Sequence, residues 1–431
     1  MDITSRLLML GSSAGGSSAG GDSAWQLAFT ANYSSLYSTP TARSLDADTS
    51  GNLYLAINSQ NSSNYSRHNI IKVSPDGSAL FNSTKSHTST DFEEIYSIAV
   101  DRNNGIVYTT ASELSQTSAN EGSIIKYDTA LAAQAAKYNA TPSQALLARG
   151  RIGVSPGGTV VVASYTTDVT SRFYLSRIDS SLSLLSQRRV EYGTEPWAAD
   201  DVKFLSDSKI ITFGAFGASG SVYPTLMCFD SGGTTLQWKV QQYQDMDAGR
   251  KVAVDDSDNV YTVAASLGVI YVRKYNSSGT RQWAKTISAS SAYVTGAEWV
   301  NGYLVIVGNT TQYTGTKPFV LGIDSSGSLA WNNYINVAQS AFGLCKASAN
   351  SFGLATKNSN TIRLYKLPAS GGLASGSSPI SYTAGTLTAS NQTSPTENNQ
   401  TYTITTPTGS LTTYTTRAWT SQSPTYTLTQ A

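Results

Sequence analysis

The strongest constraint on this chain is an internal repeat with a period of about fifty residues. Aligned on an apolar segment that follows a polar turn, the copies centre on Tyr54, Tyr108, Val161, Ile211, Tyr261, Val305 and Gly353. The gaps are 54, 53, 50, 50, 44 and 48 residues. The preceding turns read DADTSGN (46–52), DRNNG (101–105), SPGG (155–158), SDS (206–208), DDSDN (255–259), NG (301–302) and ANS (349–351). Asp, Asn, Ser and Gly between alternating apolar runs are hairpin signals, because they reach positive φ at low cost. A unit this short cannot bury its apolar face alone, so the copies must stack on one another.

A second hairpin follows later in each copy. It reads LMCFDSGGTTLQW (226–238), VRKYNSSGTRQW (272–283) and VLGIDSSGSLAW (320–331). The earlier copies, IIKVSPDGSALF (70–81), IIKYDTALAAQ (124–134) and LSRIDSSLSLL (175–185), lack the Trp. Two hairpins, or four strands, per repeat is the unit of a β-propeller blade. The last copy reaches IRLYKLPASGG (362–372) and lacks its outer strand, while GGDSAWQLAFT (20–30) supplies one near the N-terminus. The expected fold is therefore an all-β, seven-bladed β-propeller over residues 22–368. Trp25, Leu27 and Phe29 close the ring, with Trp25 in the place of Trp238, Trp283 and Trp331. A ring sealed by its two ends leaves no free sheet edge at the seam.

Two flanks stand outside the blades. Residues 1–21 form a Gly/Ser arm carrying the apolar tetrad Leu7, Leu8, Met9 and Leu10. Four apolar residues, with Asp2 offsetting Arg6, do not make a secretory signal. With nothing local to cover it, the tetrad reads as an anchor for a partner. Residues 369–431 form a Thr/Ser-rich segment with two charges, Glu397 and Arg417. Its runs TYTITT (401–406), LTTYTT (411–416) and TYTLTQ (425–430) alternate with period two, which predicts strand. That strand would pair with another copy, another protein or the propeller.

The segments KVAVDDSDNVYTV and RKYNSSGTRQWAKTI resemble the SBBP-type β-propeller repeat over about residues 22–367. The LLMLGSSAGG start followed by a Trp strand, together with the neutral Thr-rich tail, is similar to virion proteins of tailed bacteriophages, marine ones especially. The resemblance implies a non-enzymatic structural protein of a tail, fibre or collar. It would be made in the host cytoplasm, be present in many copies, contact other virion proteins and reach a host surface glycan or receptor. The eroded Asp turns of blades 3, 4, 6 and 7 depart from the repeat pattern.

Catalytic chemistry has little footing in this composition. The only histidines are His68 and His87, both read as solvated loop residues, and no HExxH, GxSxG or Walker-like motif occurs. Charged residues are 13% and the net charge is +1, which gives no footprint for nucleic acid or an anionic membrane. Cys228 and Cys345 lie at different places in different repeats, with nothing to suggest a disulfide. DADTSGN and DDSDNVY space oxygens as hard-cation loops do, but no Glu closes either loop, so turn chemistry is preferred and no metal or cofactor is expected. Adjacent acids at Glu93–Glu94 and Asp200–Asp201 point to opposite faces of a strand and form no dyad by themselves. Acids from two blades could still meet in the channel, so a polysaccharide hydrolase or lyase is one alternative, and a bacterial surface repeat protein is another. The recurrent Trp residues read as packing between blades, and Trp197, Trp299 and Trp419, off the pattern, as ligand candidates. Deleting residues 22–32 should lower the melting temperature far more than deleting residues 1–15, which calorimetry would measure.

Overall fold

A computed structural model describes residues 24–31, 35–38, 44–60, 66–77, 80–86, 92–115, 118–139, 150–165, 173–191, 197–218, 221–243, 248–266, 268–311, 316–335, 339–358 and 361–371, with seven short strands between 382 and 428. The arm at 1–21, with Leu7, Leu8, Met9 and Leu10, lies outside the described residues. The rest forms seven antiparallel sheets. In each blade the strands are named a to d from the inside outward. Blade 1 comprises Leu45–Ala47, Leu53–Gln60, Ser66–Val73 and Leu80–Ser86, with Ser35–Ser38 extending its inner edge. Blade 2 comprises Phe92–Asp101, Ile106–Ser115, Ser118–Tyr127 and Ala133–Asn139. Blade 3 comprises Arg151–Val154, Val160–Tyr165, Phe173–Ile178 and Leu184–Glu191. Blade 4 comprises Trp197–Phe204, Ile210–Ala218, Ser221–Phe229 and Leu236–Tyr243. Blade 5 comprises Ala248–Val254, Val260–Ser266, Val269–Tyr275 and Arg281–Ser288. Blade 6 comprises Tyr293–Val300, Tyr303–Thr310, Lys317–Asp324 and Leu329–Ile335. Blade 7 takes Ser340–Lys346, Ser351–Lys357 and Thr361–Pro368 from the end of the repeats, and Trp25–Ala31 from the N-terminus.

The ring is closed. Each a strand packs against the a strand of the next blade, and that of blade 7 packs against that of blade 1. Trp25, Leu27 and Phe29 pair with Lys366, Leu364 and Ile362, so the N-terminal strand is strand d of blade 7. The core is correspondingly divided. Its seven clusters of buried side chains each span one junction between neighbouring blades. Period-two strands with both faces covered give each blade two apolar faces, and burial is complete only when the next blade is present.

A register row across strands b, c and d governs every junction. The rows are Tyr54–Lys72–Phe81, Tyr108–Lys126–Ala135, Val161–Arg177–Ser186 and Ile211–Cys228–Trp238 for blades 1 to 4. They are Tyr261–Lys274–Trp283, Val305–Gly322–Trp331 and Gly353–Lys366–Trp25 for blades 5 to 7. The row meets the c–d turn of the following blade. Lys72 donates to Thr129 O (2.9 Å), Lys126 to Ser180 O (2.7 Å), Arg177 to Gly232 O (3.3 Å), Lys274 to Ser325 O (3.2 Å) and Lys366 to Pro75 O (3.2 Å). The indole N–H groups of Trp25, Trp238 and Trp283 donate to Pro75 O, Ser277 O and Ser325 O. Trp331 stacks on Phe352 instead.

Size is matched across these junctions. The turn residue facing each Trp is a glycine with positive φ: Gly77, Gly279, Gly327 and Gly371. A Cβ on Gly279 would lie 2.7 Å from the Trp238 ring, and one on Gly371 would lie 2.3 Å from Trp331. Where blade 2 offers only Ala135, the facing residue of blade 3 is Leu182, fully buried although its φ is 63°. A non-glycine residue in that region costs about 1–2 kcal/mol, and burying a leucine returns about 1.5–3 kcal/mol.

The C-terminal segment forms a belt. Tyr382–Ala384 pairs with strand d of blade 6, Ala389–Asn391 with blade 5, Thr396–Asn398 with blade 4 and Thr403–Thr405 with blade 3. Leu411–Thr413 pairs with blade 2, Thr420–Gln422 with blade 1 and Tyr426–Leu428 with Trp25–Ala31 of blade 7. The chain thus retraces the whole ring in reverse, adding a fifth strand to each blade. Strand d of blade 7 is the N-terminal strand, and its outer edge receives the last belt strand, Tyr426–Leu428. The spacing suits the circuit. The fifth strand lies about 19 Å outside the first at about 4.8 Å per strand, so one seventh of that circle is at least about 17 Å. A step of seven residues reaches about 23 Å when extended. The belt covers seven strand edges that would otherwise template association. Removing residues 379–431 should lower the melting temperature and produce concentration-dependent self-association, read by calorimetry and sedimentation velocity.

Candidate functional site

Up-and-down strand order puts the a–b and c–d turns at one end of the ring and the b–c and d–a connections at the other. The first end is built of repeated turns. Asp48 accepts the N–H of Asn52, its side-chain amide and the hydroxyl of Tyr54, and Asp255 does the same with Asn259 and Tyr261. Both carboxylates are therefore engaged by the chain itself. Asp179, Asp324 and Asn276 accept the N–H groups two and four residues on. Hydrogen bonds to the serines that follow hold the carboxyls of Asp179 and Asp324 below the usual range. No group of three His, Cys, Asp or Glu able to hold a metal occurs among the described residues.

The connections at the other end vary, from 116–117, 219–220 and 267–268 to 140–150 and 166–172. An open hollow of about 810 Å³ lies on this face, lined by Gly268, Ser288, Ser290, Ser291 and Tyr293 among others. Tyr293 is 48% exposed there, whereas most aromatic side chains in the described core are buried. Volumes of this order suit a small ligand, and the lining offers hydroxyls and one ring without a formal charge.

The inner strands share a second feature. Register shifts at Ile95/Ser97, Ala199/Asp201, Ala248/Lys251, Val294/Gly296 and Ala341/Gly343 leave Tyr96, Asp200, Arg250, Thr295 and Phe342 as bulged residues. Bulges re-aim side chains. Gly249, at φ 64°, permits the blade 5 bulge, since a Cβ there would lie 1.9 Å from Val294 O. Asp200 is bonded to Arg250 and lies 3.8 Å from Arg151, so it is held between cations of blades 5 and 3. Asp201 accepts the N–H groups of Val202 and Val252, and Asp46 those of Ala47 and Val100. Lys203 of blade 4 pairs with Glu298 of blade 6 and Lys346 of blade 7 with Asp256 of blade 5, so each pair reaches past the blade between them. Asp46, Asp200, Asp201 and Glu298 thus each meet cations or backbone N–H groups. Glu94 accepts from Tyr96 at 3.4 Å.

The sequence-based candidates fall as follows. Trp25 and Leu27 pack against the cluster at the seam, and Phe29 is placed by its strand pairing. Trp299 is a core residue rather than a ligand platform. It is 7% exposed and stacks on Tyr261 with ring centroids 5.2 Å apart. His68 lies in strand c of blade 1, not in a loop, because that strand begins at Ser66. His87, Trp419 and the Trp197 side chain lie outside the described residues. Cys228 and Cys345 are buried free thiols. Sequence reasoning missed Arg151, Arg250 and Tyr293, because a bulge and a hollow leave no periodic trace.

No protein-family model and no curated protein matches the chain. Among solved structures, NanB sialidase from Streptococcus pneumoniae (the K499G mutant) aligns with 79% of this chain and 70% of its own at 11% identity, TM-score 0.43. The polysaccharide lyase Uly1 aligns with 78% and 91% at 8% identity, TM-score 0.47. The AfRom2 CNH domain aligns with 79% and 98% at 10% identity, TM-score 0.43. Likeness at this level does not bear on the choice of activity.

Burial, with Asp48 and Asp255 close by, raises the phenols of Tyr54 and Tyr261. Burial pushes Tyr108 up to about 12, and the Cys228 thiol also to about 12. Above pH 9 to 10 the unfolded chain releases these protons while the folded chain keeps them, so stability falls as pH rises toward 12. Burial lowers Lys239 to about 8, which adds stability with rising pH up to its unfolded value of 10.5. The urea midpoint should therefore change little from pH 8 to 9.5 and fall steeply above pH 10, with a shallower fall in Tyr54→Phe.

Proposed function

We propose that this protein is a non-enzymatic structural and attachment component of a tailed-phage particle, carried on a tail, fibre or collar. The observation that supports this most is the unequal treatment of the two faces. One end is locked by repeated turns, and the other presents connections of varied length around a hollow with an exposed Tyr293. Variable loops on a rigid frame are where binding is carried. Hydroxyls with one exposed ring and no formal charge suit a neutral glycan of a host surface, since a tyrosine ring offers an apolar face with a polar tip. The arm with Leu7–Leu10 would dock on other virion proteins, and many copies would turn weak contacts into avidity.

The engagement of Asp46, Asp200, Asp201 and Glu298 by cations and backbone donors also favours this reading over the hydrolase or lyase alternative. Incubating the purified full chain with host surface polysaccharide should give retention on the polysaccharide with no change in its chain length. Tyr293→Ala should weaken retention about tenfold, in line with loss of a packed aromatic contact. Depolymerisation of the polysaccharide, lost on Asp200→Asn, would overturn the proposal in favour of the enzyme.

A further inference from the structure

The pair Asn-Gly occurs twice in the chain, at Asn104–Gly105 and Asn301–Gly302. Each pair sits in the a–b turn of its blade, blade 2 and blade 6. The blade 2 turn is tied down. The side-chain amide of Asn104 donates to Asp101 Oδ2 at 2.8 Å, and the Gly105 N–H donates to Asp101 O at 2.8 Å. Gly105 is also buried. Blades 1 and 5 use the same device, since Asp48 and Asp255 hold the side-chain amides of Asn52 and Asn259.

The blade 6 turn contains no aspartate. It is a two-residue turn, closed by the pairing of Val300 with Tyr303. Asn301 and Gly302 have φ of 50° and 81°, the successive left-handed residues that such a turn needs. Both are exposed, and a Cβ on Gly302 would meet nothing within 4 Å. Among the described residues, neither the Asn301 side-chain amide nor the Gly302 N–H makes a hydrogen bond. Asn301 is thus followed by glycine, exposed and held by no neighbour, whereas Asn104 shares only the glycine and the exposure.

We infer that Asn301 is a site of spontaneous backbone modification. The Gly302 nitrogen gives its proton to hydroxide and attacks Cγ of Asn301. A C–N bond forms, the bond from Cγ to the amide nitrogen breaks, and ammonia leaves with a proton taken from water. Water then opens the resulting succinimide at one carbonyl or the other, giving aspartate or isoaspartate. The turn must rotate out of its left-handed conformation for the attack, and this local opening breaks only the bonds at the end of one hairpin. A following glycine has no Cβ to obstruct the approach. At Asn104 the same approach must also break both bonds to Asp101 and uncover a buried N–H. Isoaspartate lengthens the backbone by one carbon, which a two-residue turn absorbs only by shifting Tyr303. That ring packs edge-on against Trp331 at 6.4 Å, beside the junction with blade 7, so the modification loosens this junction. The site lies on the turn face and is independent of the attachment surface and of the particle reading above.

The test ages the purified full chain at mildly alkaline pH, natively and in urea, and follows both sites by peptide mapping with mass spectrometry. In the native chain, conversion at Asn301 should be at least about tenfold faster than at Asn104, the scale of the two hydrogen bonds that hold the latter. In urea, where only the sequence acts, the two rates should become comparable. The aged native chain should contain isoaspartate at 301 and melt at a lower temperature than the fresh one. Asn301→Gly, which keeps the left-handed turn and removes the amide, should keep its melting temperature on ageing. Faster conversion at Asn104, no conversion at Asn301 over a period that converts it in urea, or an equal preference for Asn301 in urea would overturn the inference. An equal loss of melting temperature in aged Asn301→Gly would overturn the link to the blade 6–7 junction.

Discussion

One contact underlies the rest of this structure: a three-residue row on each blade pressing on the c–d turn of the next. In blades 2 to 6 the turn is folded by its own Asp or Asn, which fixes where its carbonyls point. The turn carbonyls of blades 1 to 6 receive a Lys, Arg or Trp donor from the preceding blade, and at blade 7 Trp331 stacks on Phe352 instead. Local turn chemistry and long-range docking are thus the same atoms. The donors are also large, so each hydrogen bond brings apolar area with it, and long cationic stems pack along the neighbouring blade. With seven clusters in place of one core, stability is close to a sum of junction terms, and a ring has no terminal blade to fray.

Closure is achieved twice, by different means. The N-terminal strand completes blade 7 and so joins the two ends of the repeat region within one sheet. The C-terminal belt then crosses every blade, ending on that same N-terminal strand. Each belt contact is only three residues wide, but all seven lie in one chain. Once one pairing forms, the next is an intramolecular event at high effective concentration. The belt pairs with the last residues of each d strand, on the side where the d–a connections begin. It therefore frames the loop face that carries Tyr293.

The two faces divide the labour. Turn geometry on one side is so constrained that exceptions stand out, and the blade 3 junction, whose row Val161–Arg177–Ser186 carries no aromatic residue, is such an exception. On the other side the connections differ in length. In the channel, bulges bring Asp200, Arg250 and Arg151 together, and these charges satisfy one another. This arrangement ties the inner strands of blades 3, 4 and 5 together at the hub of the ring.

The sequence by itself determined the blade count, the all-β class and the seam. Turn residues recur at a fixed period, and Trp25 sits in a register that only strand d of blade 7 lacks. It also flagged three of the belt strands, at TYTITT, LTTYTT and TYTLTQ, through their alternation. It did not show the other four, because triplets such as Thr396–Asn398 contain no apolar residue whose alternation could be read. Nor did it say what the tail pairs with, since strand pairing between distant segments depends on which edges the fold leaves open. Trp299 carried the same ambiguity: an off-period tryptophan reads as a ligand platform until Tyr261 of the preceding blade is seen stacked on it. Tertiary structure alone decided the channel ion pairs and the hollow beside Tyr293. Each depends on side chains from different blades, and distances between blades are set by docking, not by sequence spacing.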